Sequence, residues 1–242
     1  MQQSRSWKIV GHRGYPAKYP ENTVMGFQAA IALGVDAIEL DVQLTGDGVP
    51  VVLHDVRLDR TCDDIGSVLM RRWDDLKKVS AHQPNKFKQQ FFPAYLASLE
   101  DVANAIVTAD VQVFVEIKRQ SLTQSNREAV LDSVLHATRA LSKKRVLLSF
   151  DYKILEIAKQ RSDLAVGWCV KNYSPLAQAQ ALALEPDFLI CSPSNIGSAA
   201  LWPGNWQWFV YDIKTSEEAR KWVGMGASYI ETDFPDSLLD NG

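Results

Sequence analysis

The feature that most constrains the fold is an alternation of short apolar runs with longer segments of helical periodicity, which continues along the 242-residue chain. This alternation predicts parallel β-strands joined by right-handed helical crossovers. About eight such units favour an α/β fold of the TIM (β/α)8 type over an open sheet. The predicted strands are residues 8–11, 37–42, 49–54, 112–118, 145–150, 165–170, 188–191, 208–213 and 229–232. The predicted helices are residues 22–33, 99–107, 127–141, 152–161, 176–184 and 217–224.

Length and composition describe one large globular domain. A hydrophobic content of 46% supplies a sizeable core, and a chain of 242 residues fits a single α/β barrel. The net charge of −3 provides no general attraction to nucleic acid or to an anionic membrane. The three cysteines (Cys62, Cys169 and Cys191) are scattered and lack CxxC spacing. This pattern indicates a reducing compartment rather than a disulfide framework or a zinc site.

The start of the chain lacks the apolar region of a signal peptide. No apolar run approaches the length needed to span a membrane. We therefore expect a cytoplasmic protein with no stable membrane association and no nucleic-acid partner. A homo-oligomeric state is left open.

The first predicted strand ends in a pair of polar residues, His12 and Arg13, after a break at Gly11. The segment Glu21-Asn22-Thr23 then opens a predicted helix. Arginine offers a fork of hydrogen-bond donors and histidine titrates near neutral pH, so this strand end is suited to hold an anion. On this stretch alone, a turn with incidental polar residues is an equal alternative.

Acidic residues recur at the ends of two other predicted strands. Glu39 and Asp41 are two residues apart and so share one face of a strand, and Glu116 and Lys118 repeat the spacing. In a barrel these strand ends meet near the axis, where three carboxylates repel one another unless they are neutralised. A hard divalent cation would neutralise them, and oxygen ligands favour Mg²⁺ or Ca²⁺ over zinc. For one pair alone, a solvated strand face is the alternative.

A second histidine, His54, ends another apolar run and is followed by Asp55. Together with His12 it forms a candidate acid/base pair, and the alternative is a hydrogen-bonded structural histidine. His82 and His136 lie in polar or helical surroundings and are predicted to be structural. No serine nucleophile elbow, phosphate-binding P-loop or dinucleotide fingerprint is present.

Residues 55–92 interrupt the alternation with a long polar segment. This segment follows a predicted hairpin that turns at Gly46-Asp-Gly48. We interpret it as an inserted subdomain at one rim of the barrel, with a short helix at residues 73–76. Its position directly after His54 predicts that it covers the mouth of the barrel and helps to select substrates.

One short pattern occurs twice. In residues 29–41 and again in residues 220–233, a helical segment ends at a glycine (Gly34 or Gly226) and a strand carrying Glu-x-Asp follows. Glycine suits the left-handed position after a helix. Shared packing geometry is the simple explanation of this repeat.

Taken in order, the motifs along nearly the whole chain resemble those of the glycerophosphodiester phosphodiesterase family. The motifs are His12-Arg13-Gly14, Glu21-Asn22-Thr23, Glu39-x-Asp41, Val52-Leu-His-Asp55, Leu58-x-Arg60-Thr61, Ser98-Leu-Glu-Asp101, Glu116-Ile-Lys118, Ser149-Phe150 and Thr232-Asp233-x-Pro235. Each is short, but the ordered set is specific.

The resemblance implies a TIM barrel with an inserted subdomain after the second strand, so that residues 1–242 form one catalytic domain and residues 55–92 its insertion. It implies hydrolysis of glycerophosphodiesters to sn-glycerol 3-phosphate and an alcohol, a reaction of glycerol and lipid metabolism. By the same match, one Mg²⁺ or Ca²⁺ would be held by Glu39, Asp41 and Glu116. The acid/base pair would be His12 and His54, and the phosphate would be bound by Arg13 and Lys118.

Two stretches depart from the family pattern. The usual Trp/Tyr-Thr-Val-Asn is Tyr211-Asp-Ile-Lys214 here, and the usual Pro-Thr-Leu is loosened to Pro93-Ala-Tyr-Leu-Ala-Ser-Leu99. The first departure puts the family's contacts around glycerol in doubt.

Two alternative functions stay open. One is a lysophospholipase D-like or phospholipase C-like phosphodiesterase on the same barrel, although the chain shows no long apolar lid and no basic amphipathic helix. The other is a non-catalytic binder of a phosphate ligand, although the full set of histidines and carboxylates is present. Because no side chain is placed to attack phosphorus, the nucleophile is water or the substrate itself. We expect the glycerol 2-hydroxyl, which would form a five-membered cyclic phosphate.

Overall fold

The computed structural model describes residues 5–161 and 164–239. The strands in these ranges are β1 (Lys8–Gly11), β2 (Ala37–Leu44), β3 (Pro50–Val52), β4 (Gln112–Ile117), β5 (Arg145–Ser149), β6 (Ala165–Cys169), β7 (Phe188–Cys191), β8 (Gln207–Val210) and β9 (Ala227–Thr232). Strand β3 is antiparallel to β2, and the other eight strands pair in parallel with their neighbours. Pairing of β9 with β1 closes the ring. The predicted (β/α)8 barrel is therefore confirmed.

Helices surround the barrel in the same described ranges. They are α1 (Val24–Leu33), α2 (Trp73–Leu76), α3 (Pro84–Phe87), α4 (Leu99–Ile106), α5 (Arg127–Ala137), α6 (Tyr152–Arg161), α7 (Pro175–Leu184), α8 (Pro193–Ile196), α9 (Ser216–Gly224) and α10 (Pro235–Leu239). Turns of 3₁₀ helix occur at Val68–Met70, Arg119–Ser121 and Arg139–Leu141. None of the described helices is long and apolar enough to cross a membrane. The cytoplasmic location stays a prediction from the sequence.

Several predicted boundaries were wrong by a few residues. The predicted strand 49–54 is shorter, because the chain turns after β3 and the His54 carbonyl accepts a hydrogen bond from the Gln43 side chain at 2.8 Å. The predicted helix 22–33 begins only at α1, since Asn22 has a φ of +56° and Thr23 caps the helix. The predicted helix 127–141 is shorter, because α5 ends at Ala137 and Arg139–Leu141 form a separate 3₁₀ turn.

Three short helices were not predicted. Each of α3, α8 and α10 begins with a proline, which is well accommodated in the first turn of a helix because its missing N–H has no partner there. Each spans only four or five residues, too few for an apolar periodicity to be recognised in the sequence.

The lower interior of the barrel is filled by aromatic rings. Phe114 packs edge-to-face on three of them, with ring-centroid distances of 5.1 Å to Phe188, 4.9 Å to Phe209 and 5.5 Å to Tyr229. Because strand residues two apart point to the same side, the next inward residues on β4 and β9 are Glu116 and Glu231. The rings therefore form an apolar floor beneath a charged layer.

Replacement of a floor ring is expected to cost stability. Phe114→Ala would leave a cavity at a fully buried position, and we expect a loss of about 3–5 kcal/mol in the free energy of unfolding. Chemical denaturation would measure it, with Phe92→Ala at a half-exposed position as the control. Equal losses in the two variants would contradict the role of the ring layer.

The segment after β3 packs around a small core of its own. Leu58, Val68 and Leu76 are fully buried there, and Val51 and Leu53 connect this cluster to the hairpin. The predicted short helix at residues 73–76 is present as α2. The insertion thus lies beside the carboxyl end of β2, at the rim where the site is found.

Candidate active site

A cavity of about 250 Å³ opens at the carboxyl ends of the barrel strands. Six of the seven residues predicted for the site line it, namely His12, Arg13, Glu39, His54, Glu116 and Lys118. The seventh, Asp41, is buried and contacts both Arg13 and Lys118. The wall formed by β5 to β8 is mostly apolar and includes Leu148, Phe150, Cys169, Ile190 and Phe209. The cavity is therefore charged on one side and apolar on the other.

Three carboxylates from two neighbouring strands form one cluster. Oxygen atoms of Glu39, Asp41 and Glu116 all lie within 4.8 Å of one another, and the strand register places Asp41 directly beside Glu116. Glu39 and Asp41 are almost fully buried. Oε1 of Glu39 is buried and has no hydrogen-bond partner among the described residues. Buried oxygens in this number, one of them without a partner, fit a hard divalent cation.

The pKa shifts of the three carboxylates also fit a bound cation. Burial, together with the charges of Asp41 and Glu231, raises the pKa of Glu39 well above its usual value. Burial also raises the pKa of Glu116, although Lys118 opposes the shift. For Asp41 burial is outweighed by Lys118 and Arg13, which hold its pKa below the usual range. A bound cation would offset the repulsion that these carboxylates share.

Two basic side chains lie against the carboxylates at the cavity wall. Lys118 Nζ is 3.0 Å from Asp41 Oδ1 and 2.9 Å from Glu116 Oε1. Arg13 Nε is 3.0 Å from Asp41 Oδ2, and its Nη1 is 2.9 Å from Glu21 Oε1. Since the Arg13 and Lys118 side chains also line the cavity, they are placed to contact an anion there.

The turn after β1 has an unusual backbone conformation, which places Arg13 at the cavity wall. Arg13 has a φ of +49° and donates its N–H to Glu39 Oε2 at 3.1 Å. Gly14 follows with a φ of +91°, and a Cβ there would lie 2.7 Å from the backbone of Gly26. Strained backbone of this kind is held only where the surroundings determine it, which is common at functional sites.

Both histidines are oriented in the same way. His12 Nδ1 donates to Asp233 Oδ1 at 2.7 Å, and His54 Nδ1 donates to Asp55 Oδ1 at 2.6 Å. In each ring Nε2 is then the nitrogen available to a ligand in the cavity. A carboxylate partner at Nδ1 fixes the ring and stabilises its protonated form.

The two rings differ in their charged surroundings. Burial opposes protonation of His12, but the charge of Glu231 and the hydrogen bond to Asp233 outweigh it and raise its pKa to about 10. Burial lowers the pKa of His54, and the charge of Asp41 does not fully compensate. At neutral pH His12 therefore favours the protonated form and His54 the neutral form.

The insertion supports the site through Glu21, which is buried. Arg60 donates to both Glu21 oxygens at 2.7 and 2.8 Å, and its Nε donates to Asp55 at 2.6 Å. Gln83 bonds Glu21 through both its side-chain amide atoms, at 3.0 and 3.1 Å. Glu21 in turn contacts Arg13, so the insertion is connected to both the first turn and His54.

None of the described residues 55–92 is among the side chains that line the cavity. Selection of head-group alcohols by the insertion stays a prediction. His82 is buried within the insertion, where its Nδ1 lies 2.8 Å from Ser80 Oγ. This environment agrees with the structural role predicted for it.

Other supporting residues were missed, although a signal for two of them was present. Asn22 holds Asp41 through a side-chain bond of 2.8 Å and a bond of 3.2 Å from the Asp41 N–H. The repeated Glu-x-Asp pattern contains Glu231, which lines the cavity, and Asp233, which orients His12. The glycines of the repeat do adopt left-handed conformations, with φ of +91° and +109°. The interpretation of the repeat as shared packing geometry accounts for Gly34 and Gly226. It does not account for Glu231 and Asp233, which belong to the site.

The chain matches a protein-family model and has relatives among known proteins. The model of the glycerophosphoryl diester phosphodiesterase family matches residues 12–237. A glycerophosphodiester phosphodiesterase of Caldanaerobacter subterraneus subsp. tengcongensis is 28% identical over 238 residues, which cover 96% of each chain.

Solved structures show the same fold. A phosphodiesterase of Oleispira antarctica, solved in complex with the product sn-glycerol-3-phosphate, superposes with a TM-score of 0.82 at 23% identity, covering 96% of this chain and 95% of that one. A glycerophosphodiester phosphodiesterase of Agrobacterium tumefaciens superposes with a TM-score of 0.78 at 22% identity, covering 97% and 99%.

Proposed function

Because the chain belongs to the glycerophosphoryl diester phosphodiesterase family, we propose that it hydrolyses glycerophosphodiesters to sn-glycerol 3-phosphate and an alcohol, with the barrel as one catalytic domain. The observation that carries the proposal is the cavity, where two oriented histidines and two basic side chains meet a cluster of three carboxylates, two of which line the cavity. The name of the Caldanaerobacter relative and the product held by the Oleispira enzyme support the substrate class.

One Mg²⁺ or Ca²⁺ is the proposed cofactor, with Glu39, Asp41 and Glu116 as its ligands. When bound, such a cation supplies positive charge close to the phosphoryl oxygens. Arg13 and Lys118 bind the same phosphoryl group from the cavity wall, Arg13 through its fork of donors and Lys118 as a point charge. Both stabilise charge that develops on these oxygens in the transition state.

The histidines divide the proton transfers between them. His54, neutral at the start, takes the proton of the glycerol 2-hydroxyl as its oxygen attacks phosphorus. The bond from phosphorus to the alcohol oxygen breaks, and His12, protonated at the start, gives its proton to that oxygen. This assignment rests on the two carboxylates, Glu231 and Asp233, that act on His12 from one strand.

The cyclic phosphate that remains is opened by water in a second step with the roles reversed. His12, now neutral, takes a proton from the attacking water. His54, now protonated, returns a proton to the 2-oxygen as its bond to phosphorus breaks. The net reaction consumes one water and leaves both histidines as they began.

A turnover assay with glycerophosphocholine tests the proposal. We expect release of sn-glycerol 3-phosphate and choline, and we expect His12→Ala and His54→Ala each to lower kcat by at least about 10²-fold. Both variants should keep the circular dichroism and thermal unfolding of the unchanged protein, because the two residues lie at the catalytic rim. His136→Ala, on the outer helix α5, is the control.

Each other outcome has a definite meaning. Near-normal turnover by either histidine variant would disprove the acid/base pairing, and unfolding would favour a structural histidine. Turnover of lysophosphatidylcholine in place of glycerophosphocholine would favour the lysophospholipase D-like alternative. Binding of glycerophosphocholine without turnover by the unchanged protein would favour a non-catalytic binder.

A further inference from the structure

One buried carboxylate at the cavity has no part in the proposed cation site or phosphate site. Glu231 lies on β9, is only 5% exposed, and lines the cavity. Its carboxylate has no hydrogen-bond or ion-pair partner among the described residues, whereas Asp41, Glu116 and Asp233 each have one. Asp212 also lines the cavity, but it is exposed to solvent. Burial raises the pKa of Glu231 to about 7, although the charges of His12 and Arg13 oppose the shift. A buried acid without a partner is costly unless a ligand supplies one.

The hydrogen bonds of β9 to its two neighbouring segments show where Glu231 lies in the cavity wall. On one side the His12 N–H donates to the carbonyl of the next residue, Thr232, at 3.1 Å. On the other side Ile213 donates its N–H to the Glu231 carbonyl at 3.1 Å, which places Tyr211 of the neighbouring segment at the same level. Glu231 therefore lies where the charged wall of the cavity meets the apolar wall.

A glycerol group bound at this boundary could contact the apolar wall with its carbon chain and the charged wall with its hydroxyls. With the phosphoryl group held at Arg13 and Lys118, its three-carbon chain would extend along the side that carries Phe209 and Ile190. The carbon chain suits those apolar side chains, but its hydroxyls need polar partners. Glu231 is a buried acceptor in this part of the cavity, and none of the described residues bonds to its carboxylate.

We propose that Glu231 is a specificity-determining residue that accepts a hydrogen bond from the terminal hydroxyl of the substrate's glycerol group. This inference rests on the proposed function, because it needs a glycerophosphodiester in the cavity. It also gives a polar contact to the glycerol end, where the Tyr211–Lys214 stretch departs from the family pattern. The 2-hydroxyl is left to face phosphorus and His54.

The test compares two diesters of phosphocholine. One carries glycerol, and the other carries propane-1,2-diol, which keeps the 2-hydroxyl but has hydrogen in place of the terminal hydroxyl. A site built to bond a hydroxyl rejects an analogue without it. We expect the unchanged protein to prefer the glycerol diester by at least about 10²-fold in kcat/KM.

Substitution at Glu231 should remove this preference selectively. Glu231→Met, of similar length and without an acceptor, removes a charge that acts on His12 and should slow both diesters. The glycerol diester also loses its hydrogen bond and should slow more, which reduces the preference below about fivefold. Glu231→Gln keeps one acceptor oxygen and should retain part of the preference. Glu217→Met, at an exposed position on α9, is the control and should behave like the unchanged protein.

A binding measurement checks the same contact without turnover. By calorimetry, Glu231→Met should weaken binding of sn-glycerol 3-phosphate at least tenfold and leave inorganic phosphate within about twofold. Equal losses on both diesters, an unchanged preference, or unfolding of both Glu231 variants would overturn the inference. If the unchanged protein cleaves no glycerophosphocholine, the proposed function itself fails, which this design separates from failure at Glu231.

Discussion

Chelation of divalent cations with EDTA is expected to abolish turnover, and addition of Mg²⁺ or Ca²⁺ is expected to restore it. The physical reason is the cluster of Glu39, Asp41 and Glu116, whose oxygens lie within 4.8 Å of one another in a buried site. A cation in such a site is worth several kcal/mol of transition-state stabilisation, so its loss should slow turnover by about 10³-fold or more.

Two further measurements separate cation binding from folding. Calorimetry on the metal-free protein should report one high-affinity divalent ion per chain, and Asp41→Asn should lose it. Circular dichroism should show that the metal-free protein stays folded, because Lys118 and Arg13 remain paired with Asp41. Full activity in protein shown to be free of metal would remove this explanation of the three carboxylates.

A substrate without the glycerol 2-hydroxyl is expected to react several orders of magnitude more slowly. The attacking group in the proposed reaction is that hydroxyl, and a well-placed intramolecular nucleophile has an effective molarity on the order of 10⁵ M or more. The measurement is kcat for choline release from a phosphocholine diester of propane-1,3-diol, which keeps the length and charge of the natural substrate.

The propane-1,2-diol diester serves as the matched control, because it keeps the 2-hydroxyl and should still pass through a cyclic phosphate. Phosphorus NMR during turnover of glycerophosphocholine should detect this cyclic species before sn-glycerol 3-phosphate appears. A kcat for the propane-1,3-diol diester comparable with that of the natural substrate would show that water attacks phosphorus directly.

The barrel could be predicted because its signals are local. Each parallel strand is buried on both faces and therefore appears in the sequence as a short apolar run, and each crossover helix has its own periodicity. The cluster of Glu39, Asp41 and Glu116 was predictable for a related reason. Residues two apart on a strand share a face, and parallel strands end at the same rim, so two short motifs were enough to bring three carboxylates together.

The partners of these residues depend on contacts that no local pattern describes. Asp233 orients His12 from 221 residues away, and the contact exists only because β9 closes the ring against β1. Gln83 reaches Glu21 from the insertion, 62 residues along the chain. The short helices α3, α8 and α10 likewise gave too few residues for a periodicity to be recognised.

Sequence alone therefore determined the fold class, the carboxylate cluster and the pair of histidines, because each follows from spacing along one strand and from the common direction of parallel strands. The tertiary structure decided which acid each histidine contacts, how Glu21 connects the insertion to the first turn, and that the second Glu-x-Asp belongs to the cavity. Ring closure brings the first and last strands together, and only in that arrangement does Glu231 become a buried acid facing the site.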